Sequence, residues 1–197
     1  MNNNFILNFI RFIVLLTIQI VVLEQVKLGG WINPYLYVLF IILYPINSNK
    51  SGFIAASFCL GLLMDLFCDS GGVHATASLL LAYFRPFFLK FAFGLSYEYQ
   101  TIRIADKLSV DRFTFIMSAI VFHHLILFCL ELYRFDLFFE IISRTILSTI
   151  FTFTLCIISI YLIKPNKRWE RLYYQPLSLY PLSCYWFVFF IYRLLMI

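Results

Sequence analysis

Long apolar runs separated by short polar breaks dominate this chain. Phe5–Leu23, Trp31–Ile46, Gly52–Cys68, Val73–Phe93, Phe113–Tyr133 and Leu137–Ile163 each carry few charges. A helix that crosses a bilayer needs about 20 mainly apolar residues, within a range of about 17–25. The pattern therefore predicts an all-α, polytopic transmembrane helix bundle with six spans. The second and third runs are short, which suits upright helices or a locally thinned bilayer. Pro34 suits a helix start and Pro45 an end. Trp31, Tyr35 and Tyr44 flank the second run, where an aromatic belt is expected. The first run lacks a small-residue cleavage site and is followed by Glu24-Gln25-Val26, so it reads as a retained span.

The polar residues inside these runs are not scattered. At about 100° per residue on a helix, they gather on narrow faces. Asn4, Asn8, Arg11 and Gln19 share one face of the first span. Ser57, Gly61 and Asp65 run at i, i+4, i+8 on the third. Gly71, Ala75, Ser78, Ala82 and Arg85 line the fourth. His124 and Glu131, seven apart, nearly eclipse on the fifth. Glu140, Arg144, Ser148, Thr152 and Cys156 form an i+4 ladder on the sixth. Charges in hydrocarbon cost several kcal/mol unless they face the bundle interior or reach out to water. Small residues let helices approach closely in lipid. The third and fourth spans should thus form a tight hairpin across Asp69-Ser70-Gly71-Gly72, where glycine supplies the required turn angles. By depth, Asp65 pairs better with Arg144 than with Arg85, from which helix rise separates it by about 9 Å. Arg85 is expected to reach the near interface or a polar group on the first span. Asp69 is expected to cap the next segment or order the turn.

Lys and Arg are uneven between the loops. Lys50, Arg103, Lys107, Arg112, Lys164, Lys167, Arg168 and Arg171 fall on the side of the N-terminus, and only Lys27 and Arg134 on the other. The positive-inside bias places both termini in the cytoplasm. The net charge of +5 is then a topology signal with some attraction to anionic lipid, not a nucleic-acid signature. At 62% hydrophobic and 13% charged, the chain lies far from a soluble domain. The five cysteines show no paired spacing and suit buried thiols. The one long loop, 94–112, is mixed in charge and fits a solvated connector better than a docking site.

Catalytic and metal motifs are missing. The chain has no phosphate-binding G-x-x-x-x-G-K-[ST] loop, no H-E-x-x-H and no G-x-S-x-G. His123 and His124 are neighbours that point apart, which suits a packed, hydrogen-bonded pair better than a metal site. No cofactor, metal or enzymatic role is expected. For Asp65, a structural pair inside the bundle and a ligand-binding role stand level. Glu140 and Arg144 sit at ordinary ion-pair spacing near the outer surface, as a local salt bridge or a contact for a partner.

The stretch "GLLMDLFCDSGGVHATASLLLAYFRP", with "LGGWINPYLYVLF" before it and "FHHLILFCLELYRF" after it, resembles the bacterial rod shape-determining protein MreD family over residues 1–163. Gly61, Asp65, Gly72 and Ala75 fall at the family's glycine, acidic, glycine and alanine positions, and Tyr83 and Arg85 follow in similar context. The resemblance implies a non-enzymatic inner-membrane scaffold of the cell-elongation machinery. Its implied partner is MreC, with MreB filaments, RodA and its penicillin-binding partner reached through the complex. It also implies a fold similar to vitamin-transporter substrate-binding subunits. No catalytic residue is carried over. On this reading Asp65, Arg85, His124, Glu131, Glu140 and Arg144 make partner or interhelical polar contacts, while Gly61, Gly71, Gly72, Ala75, Ser78 and Ala82 pack the hairpin. A solute- or lipid-binding transport subunit is the alternative. Residues 164–197 depart from the family. They form a basic juxtamembrane segment and an apolar stretch, Leu177–Ile197, whose start is interrupted by Pro176 and Pro181 and which is left open between an interfacial helix, a seventh span and a poorly ordered segment.

Overall fold

The computed structural model describes residues 2–26, 32–46, 48–94, 109–133 and 137–163. The expectations for Trp31, for most of the 94–112 loop and for 164–197 lie outside the described residues.

Among the described residues, five long helices are apolar and long enough to cross a membrane. They are α1 (Asn2–Val21, with a 3₁₀ turn at Leu23–Gln25), α3 (Lys50–Cys68), α4 (Val73–Phe93), α5 (Val110–Leu132) and α6 (Phe138–Ile163). Consecutive helices α3 to α6 pack pairwise, and α1 lies against α3. Their outward faces carry apolar side chains: Leu62 and Leu66 on α3, Tyr83, Phe87 and Phe91 on α4, Ile146 and Ile150 on α6. Hydrocarbon is the natural solvent for such faces. The chain is an all-α membrane-type bundle.

The second run corrects the expectation of a sixth spanning helix. Among the described residues, only Val38–Leu43, here α2, is α-helical in it. Tyr35 to Ile42 are all buried, and α2 is apolar on every side. A helix of that kind has no face for lipid or water and belongs in a core. The physical reason for its shortness is legible in the two prolines. A helix confined between Pro34 and Pro45 would reach only about 18 Å, well short of a ~30 Å hydrocarbon layer.

The segment threads the bundle beside α1 and α4. Gln19 of α1 holds Pro34, and Arg11 of α1 holds Leu43. The partners run in reverse order, so the segment is antiparallel to α1. On α4, His74 meets Tyr37 and Arg85 meets Ile42. The order is now the same, so the segment is parallel to α4. Non-helical backbone at this depth is tolerated only where protein satisfies its polar groups. Side chains do that here. Gln19 Nε2 donates to Pro34 O (2.9 Å), Tyr37 N–H donates to Gln19 Oε1 (3.4 Å), and Tyr35 N–H donates to Thr152 Oγ1 (3.0 Å).

Candidate functional site

The α3–α4 hairpin is built around Asp65. Helix α3 ends at Asp69, which adopts a left-handed conformation (φ 52°), and Gly71 (φ 66°) and Gly72 (φ 99°) complete the reversal. The Asp65 carboxylate then accepts from His74 N–H (2.9 Å) and Ala75 N–H (2.7 Å), and from Ser70 O–H (2.5 Å). Those two backbone donors belong to the first turn of α4, whose own N-cap, Gly72, has no side chain to serve them. A carboxylate there satisfies orphan N–H groups and meets the positive end of the helix dipole. The role expected of Asp69 is therefore filled by Asp65, one turn earlier and from inside the bundle.

Gly61 lets this happen. A Cβ at Gly61 would stand 2.4 Å from His74 O and 2.6 Å from the Ala75 Cα, inside any real contact distance. The two helices touch backbone to backbone at the level where Asp65 reaches across. Ala75 is buried at the crossing, and Ser78 and Ala82 continue its buried face down α4. Gly61, Asp65, Gly72 and Ala75 thus form one interlocked unit.

Arg85 is buried on the same helix, toward the other end. Its Nη2 donates to Ile42 O (3.1 Å) and to Tyr44 O, and its guanidinium lies 5.1 Å from the Phe53 ring centre. Arg11 Nη1 donates to the intervening Leu43 O (3.4 Å). Two cations therefore close the C-terminal carbonyls of α2, where the dipole favours positive charge. Among the described residues, Arg85 meets the carbonyls of the second segment.

Arg144 does not pair with Asp65. Its guanidinium contacts Glu140 on its own helix (2.6 Å) and Glu131 at the end of α5 (3.6 Å). Both glutamates are about 40% exposed at their side chains (38% and 42%), so the group lies at the bundle's edge. Exposed pairs of this kind contribute only ~0–1 kcal/mol.

A larger polar group contains both histidines of the expected packed, hydrogen-bonded pair, His123 and His124. It centres on Tyr37, fully buried, whose hydroxyl lies 2.9 Å from both His74 Nδ1 and His123 Nε2. Next to it, His124 Nδ1 is 3.0 Å from Thr149 Oγ1, and His124 Nε2 is 3.5 Å from Thr152 Oγ1. Tyr35 stacks obliquely between the rings of His74 and His124. His123 and His124 were singled out from the sequence; Tyr37 and His74 were not. Tyr37 sits in an apolar run with no polar period, and its partners are 37 and 86 residues away. The one available signal was that a buried tyrosine hydroxyl and a buried imidazole each need partners.

Comparison with protein-family models, with curated proteins and with solved structures finds no match.

Proposed function

We propose that this chain is a non-enzymatic scaffold in the bacterial inner membrane, with its N-terminus in the cytoplasm, that binds MreC. In that role it helps couple MreB filaments to peptidoglycan synthesis by RodA and its penicillin-binding partner. The observation that carries the reading is the use made of Gly61, Asp65, Gly72 and Ala75. The residues on which the family resemblance rests make a rigid hairpin, with the acidic side chain consumed as a helix cap. That is what a scaffold needs from its motif. Glu131, Glu140 and Arg144 form a paired charge group at the bundle edge, with the exposed Phe139 next to Glu140. This is the surface we assign to the partner.

The test is co-purification of tagged chain with MreC from membranes. Wild type should recover MreC, and Glu140→Lys with Glu131→Lys should lose most of it while keeping the bundle folded. Equal recovery by the double variant removes this surface from the reading, and no recovery by wild type removes the scaffold. A solute- or lipid-binding transport subunit is the second reading, favoured by the interrupted helix at the bundle centre. A small molecule or lipid headgroup retained stoichiometrically through purification would select it.

A further inference from the structure

All three histidines of the chain gather in the cluster around Tyr37. A tyrosine hydroxyl has one proton to donate. With imidazoles at 2.9 Å on both sides, it donates to one ring and accepts from the other. In the first arrangement His74 Nδ1–H donates to Tyr37, whose O–H donates to His123 Nε2, and His123 carries its proton on Nδ1. In the second, His123 Nε2–H donates to Tyr37, which donates to His74 Nδ1, and His74 carries its proton on Nε2. The tautomers of His74 and His123 are therefore tied to each other through one oxygen.

His124 stands apart. Tyr35 N–H already donates to Thr152 Oγ1, which leaves the Thr152 hydroxyl proton for His124 Nε2; His124 then donates from Nδ1 to Thr149. Both its nitrogens are satisfied in the neutral state. His123 is not so served: its Nδ1 is buried with no hydrogen-bond partner among the described residues. His74 alone of the three has any exposure, 5% against 0% for the others, and it lies in the first turn of α4 next to Asp65.

We infer that His74, Tyr37 and His123 form a binding site for one proton, taken up from water at His74. In the first arrangement a hydronium ion gives its proton to His74 Nε2 and leaves as water. His74 Nδ1–H can then pass to Tyr37 while the Tyr37 proton passes to His123 Nε2, so the positive charge moves between the rings with no atom displaced far. The charge needs compensation at this depth. The Asp65 carboxylate, held at the His74 main chain from α3, supplies it. Glu24 after α1, Asp69 at the end of α3 and Glu131 late in α5 are the other acidic groups toward this end of the bundle. Tyr35, His124, Thr149 and Thr152 complete the surroundings from the interior segment, α5 and α6, and none of them supplies a cation. A second proton would put two cations against one hydroxyl, so the stoichiometry is one.

The experiment is solid-state NMR of ¹⁵N-histidine-labelled protein in phosphatidylethanolamine–phosphatidylglycerol nanodiscs, from about pH 4 to about pH 8, the range histidine titration covers. His74 and His123 should move at one common midpoint, each by about half the amplitude of a free imidazole, as expected of a shared proton, with His124 unmoved. Asp65→Asn should lower that midpoint, and Tyr37→Phe should confine the change to His74. The His124 signals report whether each variant is folded, and wild type alone suffices if one is not. Neither ring moving across the range, two independent midpoints in wild type, or a pair still moving together in folded Tyr37→Phe would each overturn the site.

Discussion

Gly61 and Asp65 meet the same few atoms of α4 from opposite demands, one by having no side chain and the other by extending one. Replacing Gly61 by Ala places a methyl carbon 2.4 Å from a backbone oxygen, and backbone cannot step aside as a flexible side chain can. Overpacking of this order costs ~1–3 kcal/mol, and Gly61→Val should cost more than Gly61→Ala. Unfolding of the purified protein in mixed detergent micelles measures the loss. Asp65→Ala leaves two buried N–H donors without acceptors and should cost ~2 kcal/mol. Asp65→Asn keeps one good acceptor and should fall between. Stability unchanged in Asp65→Ala would show that the cap contributes nothing. The small-residue face and the turn were legible because spacing alone encodes them. The partner of Asp65 was not. Depth along a helix offers Arg144 as a match, but a carboxylate can equally be met by two peptide N–H groups, which have no letter in the sequence.

Among the elements, the interior segment differs most from its sequence pattern. Hydropathy sees an apolar run and cannot distinguish a helix facing lipid from one enclosed by protein. The spacing of Pro34 and Pro45 carried the missing information, since it leaves too few residues for a spanning helix. The segment is held from outside, by Gln19, Thr152, Arg11 and Arg85 acting on its backbone. It should therefore be the part most sensitive to its neighbours. Arg85→Met removes the donors to Ile42 and Tyr44 while keeping much of the bulk. We expect faster amide hydrogen exchange through residues 36–44 with the α3–α4 hairpin still protected. Uniformly faster exchange across the bundle would instead make Arg85 a general support of the fold. The same enclosure explains why only the His123–His124 pair of the Tyr37 cluster was legible: Tyr37 and His74 come from separate runs, each of which looks apolar around them.

At the scale of the whole molecule, the helix order and the antiparallel path of the interior segment put the α3–α4 turn, the end of α5 and the start of α6 at one end, with the starts of α3 and α5 at the other. On the proposed topology, which follows the uneven Lys and Arg content, that second end faces the cytoplasm. Cysteines introduced at Phe139, and at Ser51 or Val110, in a background without the five native cysteines, should react with an impermeant maleimide from opposite faces of the membrane. In intact spheroplasts only the Phe139 position should be labelled. Labelling of Ser51 or Val110 in their place would invert the topology and move the proposed partner surface to the cytoplasm.

The central claim is that the bundle serves to hold a protein partner at the end marked by Glu131, Glu140 and Arg144. A photo-crosslinking amino acid in place of Phe139, 86% exposed beside Glu140, tests it in native membranes, with captured species identified by mass spectrometry. The account predicts MreC as the main adduct, diminished when Glu131 and Glu140 are reversed to lysine. Adducts made up of lipid or a small solute, with no protein partner, would contradict it.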